Sequence, residues 1–212
     1  MSPLPWLFSG GGSLKERVAR AGVWLLLGDG TARAATLLKY AILARLLAPH
    51  DFGLMGIAML ILRGVERLTE SGFHAALIRK PGDIQPYLDT AWTAQILRSV
   101  GLAVVLLIGA PLGAWFFDNP AATWVIQAVA LLTVLRGLTN PAVVCLRKEL
   151  DARREAIWRL TGVGTGLVVA VPLAFALRNV WALVLSVIAA QAAESLASYW
   201  IKPYRPRLRL EW

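Results

Sequence analysis

Little in this chain suits chemistry in water. One cysteine (Cys145) and two histidines (His50, His74) stand among 212 residues. A lone cysteine closes no disulfide within the chain, and no Cys/His spacing fits a metal site. Neither histidine has a catalytic companion, so both read as ordinary polar residues. The phosphate-binding pattern G-x-x-x-x-G-K-[ST] is missing; Gly162-Val163-Gly164-Thr165-Gly166 is glycine-rich but lacks the lysine. There is no H-E-x-x-H, no nucleophile elbow, and no acidic pair in an aqueous loop suited to glycosyl transfer. No cofactor is implied, and a non-enzymatic role is expected. Charge is scarce as well: 17% of residues are charged and 57% hydrophobic, with a mean hydropathy of +0.59. A soluble domain of this length needs a more charged surface. Lipid acting as solvent accounts for the excess of apolar residues. The first apolar run does not read as a secretory signal, because Asp29 and Arg33 interrupt it and no small-residue cleavage site follows.

Apolar runs are what the chain has instead. Residues 1–13, with Pro3, Pro5 and Gly10-Gly11-Gly12, read as a disordered lead. Ser13 and Glu16 then have the spacing of a capping box. Six mostly apolar segments follow within residues 14–202: about 21–47, 52–78, 88–117, 121–146, 156–177 and 180–201. Turns such as Ala48-Pro49-His50-Asp51, Asp118-Asn119-Pro120 and Arg178-Asn179 separate them. Each segment has the ~20 residues a helix needs to cross hydrocarbon. Short turns leave room only for antiparallel neighbours. The expectation is an all-α membrane protein with about six transmembrane helices. Residues 203–212 read as a basic cytoplasmic tail or linker.

The basic residues set an orientation. With the N-terminus inside, inner segments carry Lys15, Arg17, Arg20, Arg79, Lys80, Arg147, Lys148, Arg153, Arg154, Lys202, Arg205, Arg207 and Arg209, and the outer turns only Arg178. Both termini are therefore expected on the cytoplasmic side. The tryptophans agree: Trp115, Trp124 and Trp181 fall at outer ends, and Trp24, Trp92, Trp158 and Trp200 near inner ends. In a soluble protein a net charge of +9 would raise nucleic acid as a partner. Here the inner loops suit anionic lipid headgroups instead.

The other basic residues, Arg33, Lys39, Arg45, Arg63, Arg67, Arg98, Arg136 and Arg159, lie inside the segments. A charge at bilayer depth costs at least about 2.5–3.5 kcal/mol, so such groups face a wet cavity or a partner. Arg63, Glu66, Arg67 and Glu70 form one helical stripe, and Asp29, Arg33, Thr36 and Tyr40 another. Trp92, Gln95 and Arg98 recur on the third segment; Arg136 lies on the fourth, and Gln191, Glu194 and Ser198 on the sixth. One reading is a hydrated cationic cavity accepting a phosphate or diphosphate, which suits the planar, permanently charged guanidinium. The other is internal pairing, Asp29 with Arg33 and Glu66 with Arg63 or Arg67. Arg45 and Arg159, near helix ends, read as snorkelling residues. Gly109/Gly113 and Gly162/Gly166 have close-packing spacing.

Two stretches carry a resemblance. Arg45-Leu46-Leu47-Ala48-Pro49-His50-Asp51-Phe52-Gly53 resembles the R-L-L-x-P-x-D-F-G signature of bacterial polysaccharide-unit flippases of the Wzx type. Gly72-Phe73 through Ala76-Leu77-Ile78-Arg79 is similar to the G-F-x-x-A-L-I-R signature that follows it, and Tyr204-Arg205-Pro206-Arg207 to the link after the sixth helix. The resemblance covers roughly residues 15–212. It implies the multidrug/oligosaccharidyl-lipid/polysaccharide exporter fold, in which two six-helix lobes rock around a central cavity. It implies an oligosaccharide on undecaprenyl diphosphate as substrate, moved across the bacterial inner membrane without ATP hydrolysis. Arg33, Arg63, Arg67 and Arg98 are the candidates for holding the diphosphate, by chemistry and depth. Asp29, Glu66 and Glu70 are the candidates for coupling or charge balance. Only one lobe is present, so a fragment, a truncated gene or a half-transporter that dimerises is expected, with a second lobe or second copy as partner. The other class consistent with the sequence is a non-transporting scaffold for polysaccharide-assembly partners.

Overall fold

In hydrocarbon, backbone N–H and C=O groups must find partners within the protein, and a helix supplies them inside each long apolar run. A computed structural model describes residues 14–69, 85–143, 146 and 151–201, leaving aside the side chains of 14–21 and 85–88. Six α-helices appear among them: α1 (Leu14–Leu46), α2 (Pro49–Leu68), α3 (Gln85–Phe116), α4 (Ala122–Gly137), α5 (Ala152–Leu177) and α6 (Val180–Ile201). The described residues contain no strand. Three stretches are long and apolar enough to cross a membrane by themselves: Asp89–Phe116, Ala152–Leu177 and Val180–Ile201. The chain is an all-α membrane protein. The expected lead at 1–13 and the tail at 203–212 lie outside the described residues.

Local chemistry places the ends. α2 begins at Pro49, ahead of the expected Phe52, because proline suits the first helical position, where no N–H partner is needed. The Asp51 carboxylate then accepts from the Ala48 N–H at 3.1 Å, closing the turn that joins α1 to α2. α3 stops where Asp118 adopts φ 50°, a left-handed conformation that aspartate tolerates. The Asn119 N–H reaches back to the Ala114 carbonyl at 2.9 Å. At α5 the Asp151 carboxylate accepts from the Arg154 N–H at 3.1 Å, capping the helix start.

α4 is shorter than the apolar run that contains it. Its 16 residues span about 24 Å, less than the ~30 Å of a hydrocarbon core. The expected segment ran to 146, but Pro141 has no N–H and bars Asn140 from helix, so the chain breaks into a 3-10 turn at Pro141–Val143. Groups on α6 satisfy the broken end. Ser195 Oγ donates to the Leu135 carbonyl at 2.7 Å, Tyr199 Oη to that of Leu138 at 2.7 Å, and the Asn140 N–H donates to Ser198 Oγ at 3.0 Å.

The core lies where α2, α3, α4 and α6 meet, around Leu62, Leu106, Ile126, Leu132 and Leu183. α1 packs mainly on α5, and α5 on α6. Glycines set both close approaches. A Cβ on Gly162 would stand 3.2 Å from the Ala190 carbonyl oxygen, and one on Gly28 would stand 2.7 Å from the Ala156 Cβ. Gly28 is therefore a close contact, and α1 runs unbroken past it and Gly30. Of the Gly109/Gly113 pair, only Gly113 touches a neighbour, Ile61 and Ile126.

The two glycines of α1 make a paired test. Gly28→Ala pushes α1 off α5 and costs about 1–3 kcal/mol of stability. Gly30→Ala faces open space and stabilises by up to about 1 kcal/mol through helix propensity. Thermal denaturation of the detergent-solubilised variants, read by loss of monodispersity, checks the opposite signs.

Candidate functional site

Helix register gathers charges of the apolar segments into two places. The larger is a cavity of about 560 Å³ lined by Arg63, Glu66 and Arg67 of α2, Gln95, Arg98, Ser99 and Leu102 of α3, and Thr133, Arg136 and Gly137 of α4. Its walls hold four guanidinium groups and one carboxylate. It sits toward the α2 and α4 C-termini, because Arg63 and Glu66 occupy the last turns of α2 and Arg136 the last turn of α4.

Two of its side chains close helix ends from a neighbouring helix. Gln95 Nε2 donates to the Arg136 and Gly137 carbonyls at 2.8 and 3.3 Å. Arg98 Nη2 donates to the Glu66 carbonyl at 3.0 Å and toward Thr69 Oγ1 at 3.4 Å. These carbonyls lie at the C-termini of α4 and α2, beyond reach of the regular helical ladder, where a cation also complements the helix dipole; the Arg136 carbonyl accepts from the Thr139 N–H as well, at 3.1 Å, and the Glu66 carbonyl from Thr69 Oγ1 at 3.1 Å. Arg98 Nε is buried with no partner among the described residues. Such a donor carries a cost of about 1–3 kcal/mol until an acceptor reaches it.

The carboxylate is committed. Arg136 Nη1 donates to both Glu66 oxygens, at 2.6 and 2.8 Å, and Arg136 Nε donates to Gln191 Oε1 of α6 at 3.1 Å. This ties α2, α4 and α6 at one level. The internal pairing expected for Glu66 is real, but its partner is on another helix rather than Arg63 or Arg67. Arg63 has no carboxylate partner among the described residues.

The second place lies between α1 and α5, a cleft of about 480 Å³ lined by Asp29, Ala32, Arg33, Thr36, Leu37 and Arg159. Arg159 donates to Asp29 Oδ1 at 3.0 Å and to Glu155 Oε1 at 3.0 Å. Its expected snorkelling role is thus replaced by an ion-paired one. The Gly28–Ala156 contact brings the two helices close enough for the pair. Trp158 donates its indole N–H to the Glu194 carbonyl at 2.7 Å, across the α5–α6 contact.

Of the four arginines grouped by the sequence, Arg63, Arg67 and Arg98 share the larger cavity, and Arg33 lines the cleft on the far side of α5. Asp29 and Glu66 each balance an arginine from a different helix. Glu70 lies outside the described residues. Arg136, the fourth arginine of the larger cavity, is not among the candidates that the sequence singles out for the diphosphate. Its signal was a lone arginine in an otherwise apolar segment, which marks an intramembrane partner or cavity but does not say which. Among the described residues no group of three His, Cys, Asp or Glu side chains converges as a metal site would require.

Comparison with known proteins bears on the whole arrangement. A family model described as "Polysaccharide biosynthesis protein" matches residues 42–212. The succinoglycan biosynthesis transport protein ExoT of Rhizobium meliloti (strain 1021) is 23% identical over 192 residues, covering 91% of this chain and 39% of that protein. An uncharacterized membrane protein in the cps region of Klebsiella pneumoniae is 25% identical over 156 residues, covering 71% of this chain and 32% of that protein. The chain thus spans less than half the length of either curated relative. No solved structure matches it.

The Glu66–Arg136 pair makes a stability prediction. Glu66→Gln and Arg136→Gln each destabilise the bundle, and the double variant loses less than the sum. The Arg136 side chain is 45% exposed, so the coupling is about 1 kcal/mol. A double-mutant cycle on unfolding in mixed micelles measures it; additive losses would remove the pair as a stabilising element.

Proposed function

Since the chain belongs to the polysaccharide biosynthesis protein family, we propose that it works in transport rather than as an enzyme, moving lipid-linked oligosaccharide units across the bacterial inner membrane. The observation that carries this reading is the larger cavity, with four arginines against one carboxylate inside an apolar helix bundle. Guanidinium groups stay charged and offer paired donors, which fits the diphosphate of an undecaprenyl-diphosphate carrier. A sugar unit would occupy the polar space and the polyprenyl chain would stay against lipid.

The mechanism is alternating access. The cavity takes up the diphosphate from the cytoplasmic side, and relative movement of two lobes re-exposes it to the periplasmic side. In this scheme the six helices are one lobe, and the second comes from a longer polypeptide or a second copy of this chain. All six helices cross the membrane, with both termini cytoplasmic. α1 and α2 cross despite their charges because those charges face partners and the cavity.

Two measurements test the scheme. In a strain lacking its own flippase, the protein with Arg63→Ala and Arg67→Ala together should restore less than about a tenth of the surface polysaccharide, since each charge-assisted contact is worth about 1.5–3 kcal/mol. Wild-type polysaccharide levels would count against a cationic cavity. In a Cys145→Ser background, Asn119→Cys should react with an impermeant maleimide in intact spheroplasts, and Asp151→Cys only after lysis. The reverse pattern would invert the orientation.

A further inference from the structure

Arginine binds a phosphate best when two N–H groups on one edge of the guanidinium donate in parallel. At Arg136 neither edge is free. Nη1 is taken by both oxygens of Glu66, and Nε by Gln191 Oε1; Nη2 alone has no partner among the described residues. An anion approaching Nη1 and Nη2 meets Glu66 directly. One approaching Nε and Nη2 displaces Gln191 and still lies one guanidinium away from the Glu66 carboxylate, where like charges repel in a low-dielectric setting. Glu66 is also the sole carboxylate among the side chains that line this cavity. We propose that Glu66 is a built-in competitor for the cavity's anion, occupying the Arg136 guanidinium until a phosphate or diphosphate group displaces it.

The exchange has a place to go and a structural consequence. Arg63 lies three residues earlier on α2, on the same helical face as Glu66, and has no carboxylate partner among the described residues. Glu66 released from Arg136 is therefore offered a second cation within its own helix. The Arg98 bond to the Glu66 backbone carbonyl does not involve the carboxylate, so the end of α2 stays attached to α3 during the exchange. The side-chain tie between α2 and α4 is what the anion replaces. Ligand occupancy and α2–α4 packing are then linked through one carboxylate, and an empty cavity holds α2 against α4. Glu66 acts here as a positioning residue, setting whether Arg136 is open to the ligand.

This inference rests on the cavity being the anion site, and the experiment separates the two. The full chain is placed in lipid nanodiscs, and binding of undecaprenyl diphosphate is measured by native mass spectrometry, with undecaprenol and inorganic diphosphate as control probes. Glu66→Gln removes the charge and keeps the side-chain size. It should tighten undecaprenyl diphosphate binding on the order of tenfold, because the ligand no longer displaces a charge-assisted hydrogen bond. Arg136→Lys should weaken binding and abolish the gain when combined with Glu66→Gln. A merely structural Glu66 would do the opposite, with its loss weakening binding. Isotope-edited infrared spectroscopy of the wild-type protein gives a readout independent of variant folding: the Glu66 carboxylate stretch should shift on adding undecaprenyl diphosphate. If the Arg63→Ala/Arg67→Ala protein loses binding but Glu66→Gln binds no more tightly than wild type, or the band does not move, the competitor idea falls and the cationic cavity stands. If neither wild type nor Glu66→Gln prefers undecaprenyl diphosphate over undecaprenol, both fall. Tight binding of inorganic diphosphate alone would keep the competitor and remove the lipid carrier as its displacing ligand.

Discussion

A charge inside a bilayer must be paired or wet, and most of this structure follows from that constraint. α1 and α2 contribute Asp29, Arg33, Arg63, Glu66 and Arg67, and the other helices Arg98, Arg136, Glu155 and Arg159. Isolated in hydrocarbon, each of those groups would cost several kcal/mol. Placed on facing helices they cross-link the bundle instead. Glu66 with Arg136 and Gln191 holds α2, α4 and α6 together; Asp29 with Arg159 and Glu155 holds α1 to α5. Surplus arginine then needs a space that water can reach, and Arg63, Arg67 and Arg136 are exposed where they line the larger cavity. Pairing and hydration, which looked like competing readings of the same residues, divide the residues between them.

The same constraint governs the backbone. Pro141 breaks α4 well inside the apolar run, which takes the carbonyls of Leu135, Arg136, Gly137 and Leu138 out of the regular helical ladder. Ser195 and Tyr199 of α6 and Gln95 of α3 answer them. The polar residues of α3 and α6 therefore have a structural duty next to the cavity. Gln95 and Arg98 line the site and bond helix ends at once. The α2 side is held through its backbone by Arg98 and through its side chain by the Glu66 ion pair.

Family membership and local geometry speak to different levels. The match over residues 42–212 places the chain in the polysaccharide biosynthesis protein family, and the proteins of Rhizobium meliloti and Klebsiella pneumoniae are similar to it. They do not distinguish one arginine from another. Geometry does: it puts Arg63, Arg67, Arg98 and Arg136 around one space and leaves Arg33 beside Arg159 in another.

Much of this was legible in one dimension. Helix is the only open-chain way to satisfy backbone polar groups in lipid, so apolar length alone announces an all-α membrane protein. Proline at Pro49 and Asp118-Asn119 mark turns through local backbone chemistry. The spacing of Arg63, Glu66 and Arg67 announces a polar stripe, because 3.6 residues per turn is a property of the chain by itself. Which charge meets which was not legible. Glu66 and Arg136 are 70 residues apart and Asp29 and Arg159 are 130 apart. Their pairing depends on which helices neighbour each other and at what rotation. Close contacts such as Gly28 against Ala156 settle that rotation, and those contacts exist only in the folded bundle. Sequence determined that the charges needed partners; tertiary packing alone decided who the partners are, because a side chain reaches only a few ångströms and the chain's own spacing says nothing about distance across the bundle.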